Sequence, residues 1–363
     1  MYEYTRRLKL VIAMALVAAP AILQASSYTV VKVASTVPPN GDVNPYGVAV
    51  VQHSSGMLVQ GNILVSNFNN SQNWQGTGTT IMQITPSGTA SLFAWVDPAN
   101  LPGQCPGGVG LTTALVVLRT GWVIVGSLPT SNGMSATAQA GCLIVLNNQG
   151  AVVETIVNAM INGPWDMIAL DEEATASLFV TNVLNGTVAA NGSVVNQGTV
   201  IRIDTAQTTT VMPWVTSMTV IGSGFAERTD PAALVIGPTG VALAPDGTLY
   251  VADSLNNRIM SIANAVNLTS SAGTGTLFTN NANLNDPLGI TVRTNSGQVV
   301  AVNGNNGLLT VFTSGGQLKS KGLVETEGTP PGSGALFGIA PSPQGLYFVD
   351  DARNTLNLLT NPL

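Results

Sequence analysis

Histidine is almost missing from this chain of 363 residues, since His53 is the only one. A serine or cysteine nucleophile with an imidazole base needs a histidine beside it, and histidine-held metals need two or three. Both chemistries therefore lose their usual residue. His53 itself falls in the first hairpin of the repeat described below and reads as a turn residue. Charge is nearly as scarce, at 8% of residues. Of the 12 Lys and Arg residues, three stand together at Arg6, Arg7 and Lys9 and the other nine are scattered, which makes a clustered basic surface for nucleic acid an unfavoured reading of the rest of the chain. There is no basic amphipathic segment suited to a membrane surface, no Gly-x-Ser-x-Gly elbow, no phosphate loop and no Asp-rich calcium loop. Cysteine is limited to Cys105 and Cys142, without His or Cys neighbours for metal, and the pair fits an exported protein with one disulfide.

What is abundant is apolar and small. Hydrophobic residues make up 45% of the chain, with 39 Gly, and Asn, Thr and Val are plentiful. That composition excludes intrinsic disorder and favours many short strands joined by tight turns. The first residues place Arg6, Arg7 and Lys9 ahead of an apolar run from Leu10 to Leu23, followed by small and polar residues at 24–27. This is the pattern of an export signal, and the run is shorter than the roughly 20 residues that a spanning helix needs. Residues 1–25 are expected to be the signal peptide and 26–363 the mature domain, secreted or periplasmic, with no stable membrane insertion after cleavage. Removing residues 1–25 deletes three positive charges and one negative, taking the net charge from −6 to −8.

The mature chain repeats. Residues 237–259 read GPTGVALAPDGTLYVADSLNNRI. Val241 to Ala244 predict a short strand, Asp246-Gly247 a hairpin turn, Leu249 to Ala252 a second strand, and Asn256-Asn257 a turn into a third at Arg258 to Ile262. The end of the second strand recurs six times, closing on Asn67, Ser127, Asn182, Asp253, Asn303 and Asp350. These short polar side chains can accept backbone N–H groups of the following turn and read as structural. The first strands recur with entrances at Tyr46, Thr113, Trp165, Thr239, Leu288 and Phe337, so blades start near 45, 112, 164, 238, 287 and 336. Regular repetition of this kind is the mark of a propeller or solenoid.

The 237–259 stretch closely resembles an NHL repeat, and the resemblance implies an all-β, six-bladed β-propeller with four-stranded antiparallel blades. The last blade lacks a fourth strand, and residues 28–33, alternating Tyr-Thr-Val-Val-Lys-Val, are expected to supply it beside Thr355 to Leu359, removing exposed sheet edges.

The loops joining second and third strands are short in blades 4, 5 and 6 (254–257, 304–307, 351–354) and long in blades 1, 2 and 3 (68–79, 128–142, 183–199). A further connection, Val215 to Gly237, opens on the same face and carries Glu227, Arg228 and Asp230. Long structureless loops are commonly functional, so the ligand-binding candidates are Tyr46, Trp74, Trp165, Asp166, Glu227, Arg228, Asp230 and Phe337. The three ring aromatics either offer a stacking surface or plug the channel, and Arg228 either serves a ligand or pins its own loop to Asp230 or Glu227. Cys105 and Cys142 are placed in loops on this face.

Propellers similar to this one include the gluconolactonase family and virginiamycin-type and peptide-amidating lyases, all dependent on metal. A gluconolactonase-like function would require carboxylates and amides at the channel entrances to hold a divalent cation. The entrance residues include none, and Asp166 is the lone carboxylate beside them. No cofactor is therefore expected, and a divalent metal belongs only to the enzyme alternative, a lactonase or lyase built around Asp166 and residues 227–230. The reading favoured by the residues is a non-catalytic binding or interaction module for a protein, peptide or glycan. A structural component of the cell envelope or of a secreted assembly is the third. The four matches to the glycosylation sequon, at Asn69, Asn185, Asn191 and Asn267, carry little weight in so Asn-rich a chain.

Overall fold

The computed structural model describes residues 28–360; the expected signal peptide lies outside them. Six antiparallel sheets stand around a common axis, and the first strands of successive sheets contact one another in a closed cycle. Blade 4 shows the repeat in its plainest form. Pro238–Leu243 pairs with Leu249–Asp253, then Arg258–Ile262, then Thr276–Thr279. The turn after its second strand is a 3-10 turn at Ser254–Asn256 closed by Asn257 in the left-handed region, φ 49°, where Asn is tolerated better than other side chains.

The glycine at three of the blade entrances has a packing reason. A Cβ on Gly240 would collide with the carbonyl of Leu288, one on Gly289 with that of Phe337, and one on Gly338 with that of Tyr46. Each of these inner strands thus lies backbone-close to the next blade. Hydroxyls stitch the same seams: Ser66 Oγ donates to Thr112 O at 2.7 Å, Thr181 Oγ1 to Thr239 O at 2.7 Å and Ser254 Oγ to Pro287 O at 2.6 Å. Between blades, apolar residues of alternating strand positions form one cluster per seam. Leu64, Leu115 and Ile144 lie between blades 1 and 2, and Val302, Leu336 and Phe348 between blades 5 and 6.

The fourth strand of blade 6 is Thr29–Ser35, paired antiparallel with Thr355–Thr360 in the register Thr29↔Thr360 to Ser35↔Thr355. The sheet order places it outermost in that blade.

Blade 3 departs from expectation. Residues 215–237 are not a loop: Trp214–Asp230 is one strand of 17 residues, paired along Val195–Ala206 and then with a short strand, Leu234–Ile236. Gly222 and Gly224 sit among four register shifts that absorb the extra residues and keep the pairing going. The long loop of blade 3 likewise holds a one-turn helix, Thr187–Ala190, and that of blade 2 a 3-10 turn, Ser135–Thr137.

Candidate functional site

Tyr46, Trp165 and Phe337 come from blades 1, 3 and 6 yet meet on the axis. The Tyr46 ring stacks on Phe337 with centroids 3.9 Å apart and on Phe68 at 4.5 Å, and Trp165 lies 6.3 Å from Tyr46 and 6.4 Å from Phe337. All three are buried, with Leu288, Thr113 and Thr239 completing a buried ring. The aromatics therefore fill the channel mouth. Leu234 and Val235 lie over them, joined by Ala138 from the long loop of blade 2 and Leu184 and Val188 from that of blade 3.

This cover is held by polar contacts and carries some strain. Leu234 sits at φ 62°, a conformation that costs a residue with a Cβ roughly 1–2 kcal/mol. Asp230 Oδ1 accepts the N–H groups of Ala232 at 2.8 Å and Ala233 at 3.1 Å, and Gln75 of blade 1 reaches across to Pro231 O at 3.3 Å.

Strand alternation separates the three charges at 227–230. Arg228 and Asp230 share one side and form a 2.7 Å ion pair, so Arg228 pins its own hairpin. Glu227 faces the other way and is fully buried; Asn185 donates its backbone N–H to Oε1 at 3.0 Å. Burial pushes the Glu227 carboxyl up to about 8. Asp166 lies in the seam between blades 3 and 4, where Oδ2 accepts the Val241 N–H at 3.0 Å. Burial raises its carboxyl to about 7 against the lowering effect of the Val241 and Met167 N–H groups.

Trp74 remains half-exposed. Asn70 Oδ1 accepts its N–H at 3.1 Å, and its backbone lies so close to Gly133 of blade 2 that a Cβ there would sit 3.0 Å from Trp74 Cα. With Met134 and Val194 it gives each of the three long loops an exposed apolar residue. The disulfide Cys105–Cys142 is formed. Cys142 is the first residue of the buried strand Cys142–Leu146 rather than part of a loop, so the bridge fastens the connection between blades 1 and 2 to the core. His53 is exposed in the turn between Val43–Val50 and Ile63–Asn69.

Two carboxylates near the channel mouth escaped the sequence reading. Asp286 is raised to about 6 by burial and by Asp230, partly offset by Arg228, and Asp351 is raised to about 7 by burial. Asp286 could have been noticed as the counterpart of Asn44. Both precede the proline of a blade entrance, both have positive φ, and both donate a backbone N–H to the left-handed Asn of the preceding blade. Asp286 donates to Asn257 at 2.6 Å and Asn44 to Asn354 at 2.7 Å.

These features define a six-bladed β-propeller with an NHL repeat, and the NHL-repeat family model matches residues 236–259. No curated protein matches the chain in sequence. Among solved structures it is similar to a luciferin-regenerating enzyme at 12% identity and TM-score 0.59, covering 92% of this chain and 96% of the other. A putative gluconolactonase follows at 13% and 0.57, covering 92% of both chains. A calcium-binding regucalcin from Agrobacterium tumefaciens has 12% and 0.56, covering 91% and 95%. At such identities the likeness is one of fold. The entrance residues Tyr46, Trp165, Leu288 and Phe337 offer a hard cation no carboxylate or amide oxygen; Asp286 and Asp351 are the carboxylates nearby, and among the described residues no group of three or more His, Cys, Asp or Glu side chains is placed to hold a metal.

Proposed function

We propose that the chain is an exported, non-catalytic binding module whose working surface is the long-loop face of blades 1 to 3, engaging a protein, peptide or glycan. The observation that carries this reading is the channel mouth. The position where such a propeller would present metal-binding oxygens is filled by stacked aromatics and sealed by Leu234 and Val235. Asp166, the carboxylate on which the lactonase or lyase alternative would depend, is committed to the backbone of the neighbouring blade. What the face offers solvent is an exposed tryptophan on a turn fixed by Asn70, set among Asn and Gln side chains. Such a rigid aromatic with a polar surround suits a sugar ring or a peptide side chain.

The test is a glycan and peptide array probed with the mature protein and with Trp74→Ala. Binding that is lost in the variant supports the reading. Hydrolysis or elimination of lactone substrates, unaffected by Trp74→Ala but abolished by Asp166→Asn, would overturn it.

A further inference from the structure

The six second strands end in the same kind of residue, and at five of them the side chain is engaged. Asn67 donates to Thr36 O at 3.0 Å, Ser127 to Gly108 O at 2.9 Å, and Asn303 to Asn283 O at 2.7 Å. Asp253 pairs with Arg258, and Asp350 with Arg353. Asn182, at the end of the blade 3 strand Thr175–Asn182, is fully buried, and neither its Oδ1 nor its Nδ2 has a partner.

Three other oxygens borne by the segments that meet here are also unpartnered: Glu227 Oε2, Asn162 Oδ1 and Thr187 Oγ1. Glu227 and Thr187 are fully buried. Asn185 ties the group together. Its backbone N–H donates to Glu227 Oε1, its Nδ2 donates to Asn182 O at 3.1 Å, and its Oδ1 accepts from Asn162 Nδ2 at 2.6 Å. Four segments therefore meet here: the end of the second strand, the entrance of blade 3, the loop with the Thr187–Ala190 helix, and the strand leading to the channel cover.

Orphaned buried polar atoms are costly, and each calls for an occupant. The amide oxygens of Asn182 and Asn162 accept hydrogen bonds but cannot donate them, and the Glu227 carboxyl has at most one proton to offer. A set dominated by acceptor oxygens, with a carboxyl that a bound ion can deprotonate, matches a hard cation. Glu227 forms no ion pair among the described residues, because Arg228 lies on the opposite side of the strand and is engaged by Asp230. We propose that Glu227, Asn182, Asn162 and Thr187 hold a hard cation of the Na+, K+ or Ca2+ class. It fastens the long loop of blade 3 to the strand that runs over the channel mouth. The site lies off the axis, is separate from the aromatic plug, and stands whether or not the face binds a ligand.

The experiment is melting of the mature full chain in NaCl, KCl, CaCl2 and choline chloride at equal ionic strength, with Glu227→Gln and Asn182→Asp alongside. Choline is too large for such a site. We expect at least one metal ion to raise the melting temperature by about 2 °C or more over choline. The ion dependence should vanish in Glu227→Gln, whatever that variant's absolute stability. Asn182→Asp, which installs the residue native to the same place in blades 4 and 6, should shift the preference towards Ca2+. Should Glu227→Gln fail to fold, Asn182→Ala serves as the reading variant. Identical melting in all four salts, or an ion response that survives Glu227→Gln unchanged, overturns the proposal.

Discussion

The Tyr28 ring lies against Gly322 so closely that a Cβ on the glycine would collide with the ring, and the Tyr28 hydroxyl donates to Leu323 O at 2.9 Å. Tyr28 directly precedes the outermost strand of blade 6, whereas Gly322 belongs to the outermost strand of blade 5, Leu318–Leu323. One contact thus fastens the first described residue of the chain to a second blade, beyond its pairing with Thr355–Thr360.

Gly322→Ala should therefore displace the Tyr28 ring and cost about 1 kcal/mol, the scale of one lost hydrogen bond with its packing. Tyr28→Ala should cost a similar amount, and the double variant no more than either alone, because both remove the same interaction. Urea unfolding of the three proteins measures this. Additive losses would show that the two residues act independently.

Much of the ring could be read from sequence because its signals are local. Turn residues at fixed offsets and strand ends closing on Asn, Asp or Ser are dictated by backbone geometry, and blade 4 has all of them. Blade 3 was harder for the same reason. Residues 215–237 read as a connection between blades, and only register-shifted pairing with the preceding strand, Val195–Ala206, turns most of that segment into strand. At the candidate site, the residues to watch were legible but their surroundings were not. Tyr46, Trp165 and Phe337 were visible as ring aromatics, whereas their burial depends on Leu234, some seventy residues further on from Trp165. Of the cluster around Asn182, the sequence marked Asn182 as a strand end and Glu227 as a candidate, but their lack of partners had no sequence signal, since an unpartnered amide looks like any other Asn.

The buried carboxylates set an unusual pH dependence. Asp166 and Asp351 are raised to about 7 and Asp286 to about 6 from an ordinary value of 3.8, in each case chiefly by burial. Between roughly pH 4 and pH 7 the folded chain thus holds protons that the unfolded chain releases. The stability these groups contribute is complete below pH 4 and is lost as pH rises through the folded values. Over that window the melting temperature should fall with rising pH, and Asp351→Asn should flatten the slope. A melting temperature that climbs from pH 5 to pH 8 would contradict the burial of these groups.

The disulfide closes a loop with a sequence separation of 37. In the chain-entropy account this restricts the unfolded state by about 3–4 kcal/mol. A Cys105→Ala, Cys142→Ala double variant should lose stability on that scale while keeping its strand content by circular dichroism. The native protein should show the same loss under reducing conditions.

The ion pair within the NHL repeat tests whether charge or shape is what the strand end requires. Asp253 is fully buried and meets Arg258 at 2.6 Å, with Asn256 Nδ2 donating to both carboxylate oxygens at 3.1 Å. Arg258→Leu would leave an uncompensated buried charge, and breaking a buried pair on one side costs about 3–5 kcal/mol. Blades 1, 3 and 5 carry Asn67, Asn182 and Asn303 at the equivalent position of the same strand, without charge. Adding Asp253→Asn to Arg258→Leu should therefore recover most of the loss, even though it removes a second native residue. If the double variant is instead less stable than Arg258→Leu alone, the carboxylate is needed for its hydrogen bonds to the Asn256 turn rather than for pairing, and the Asn-ended blades must be held by their own connections.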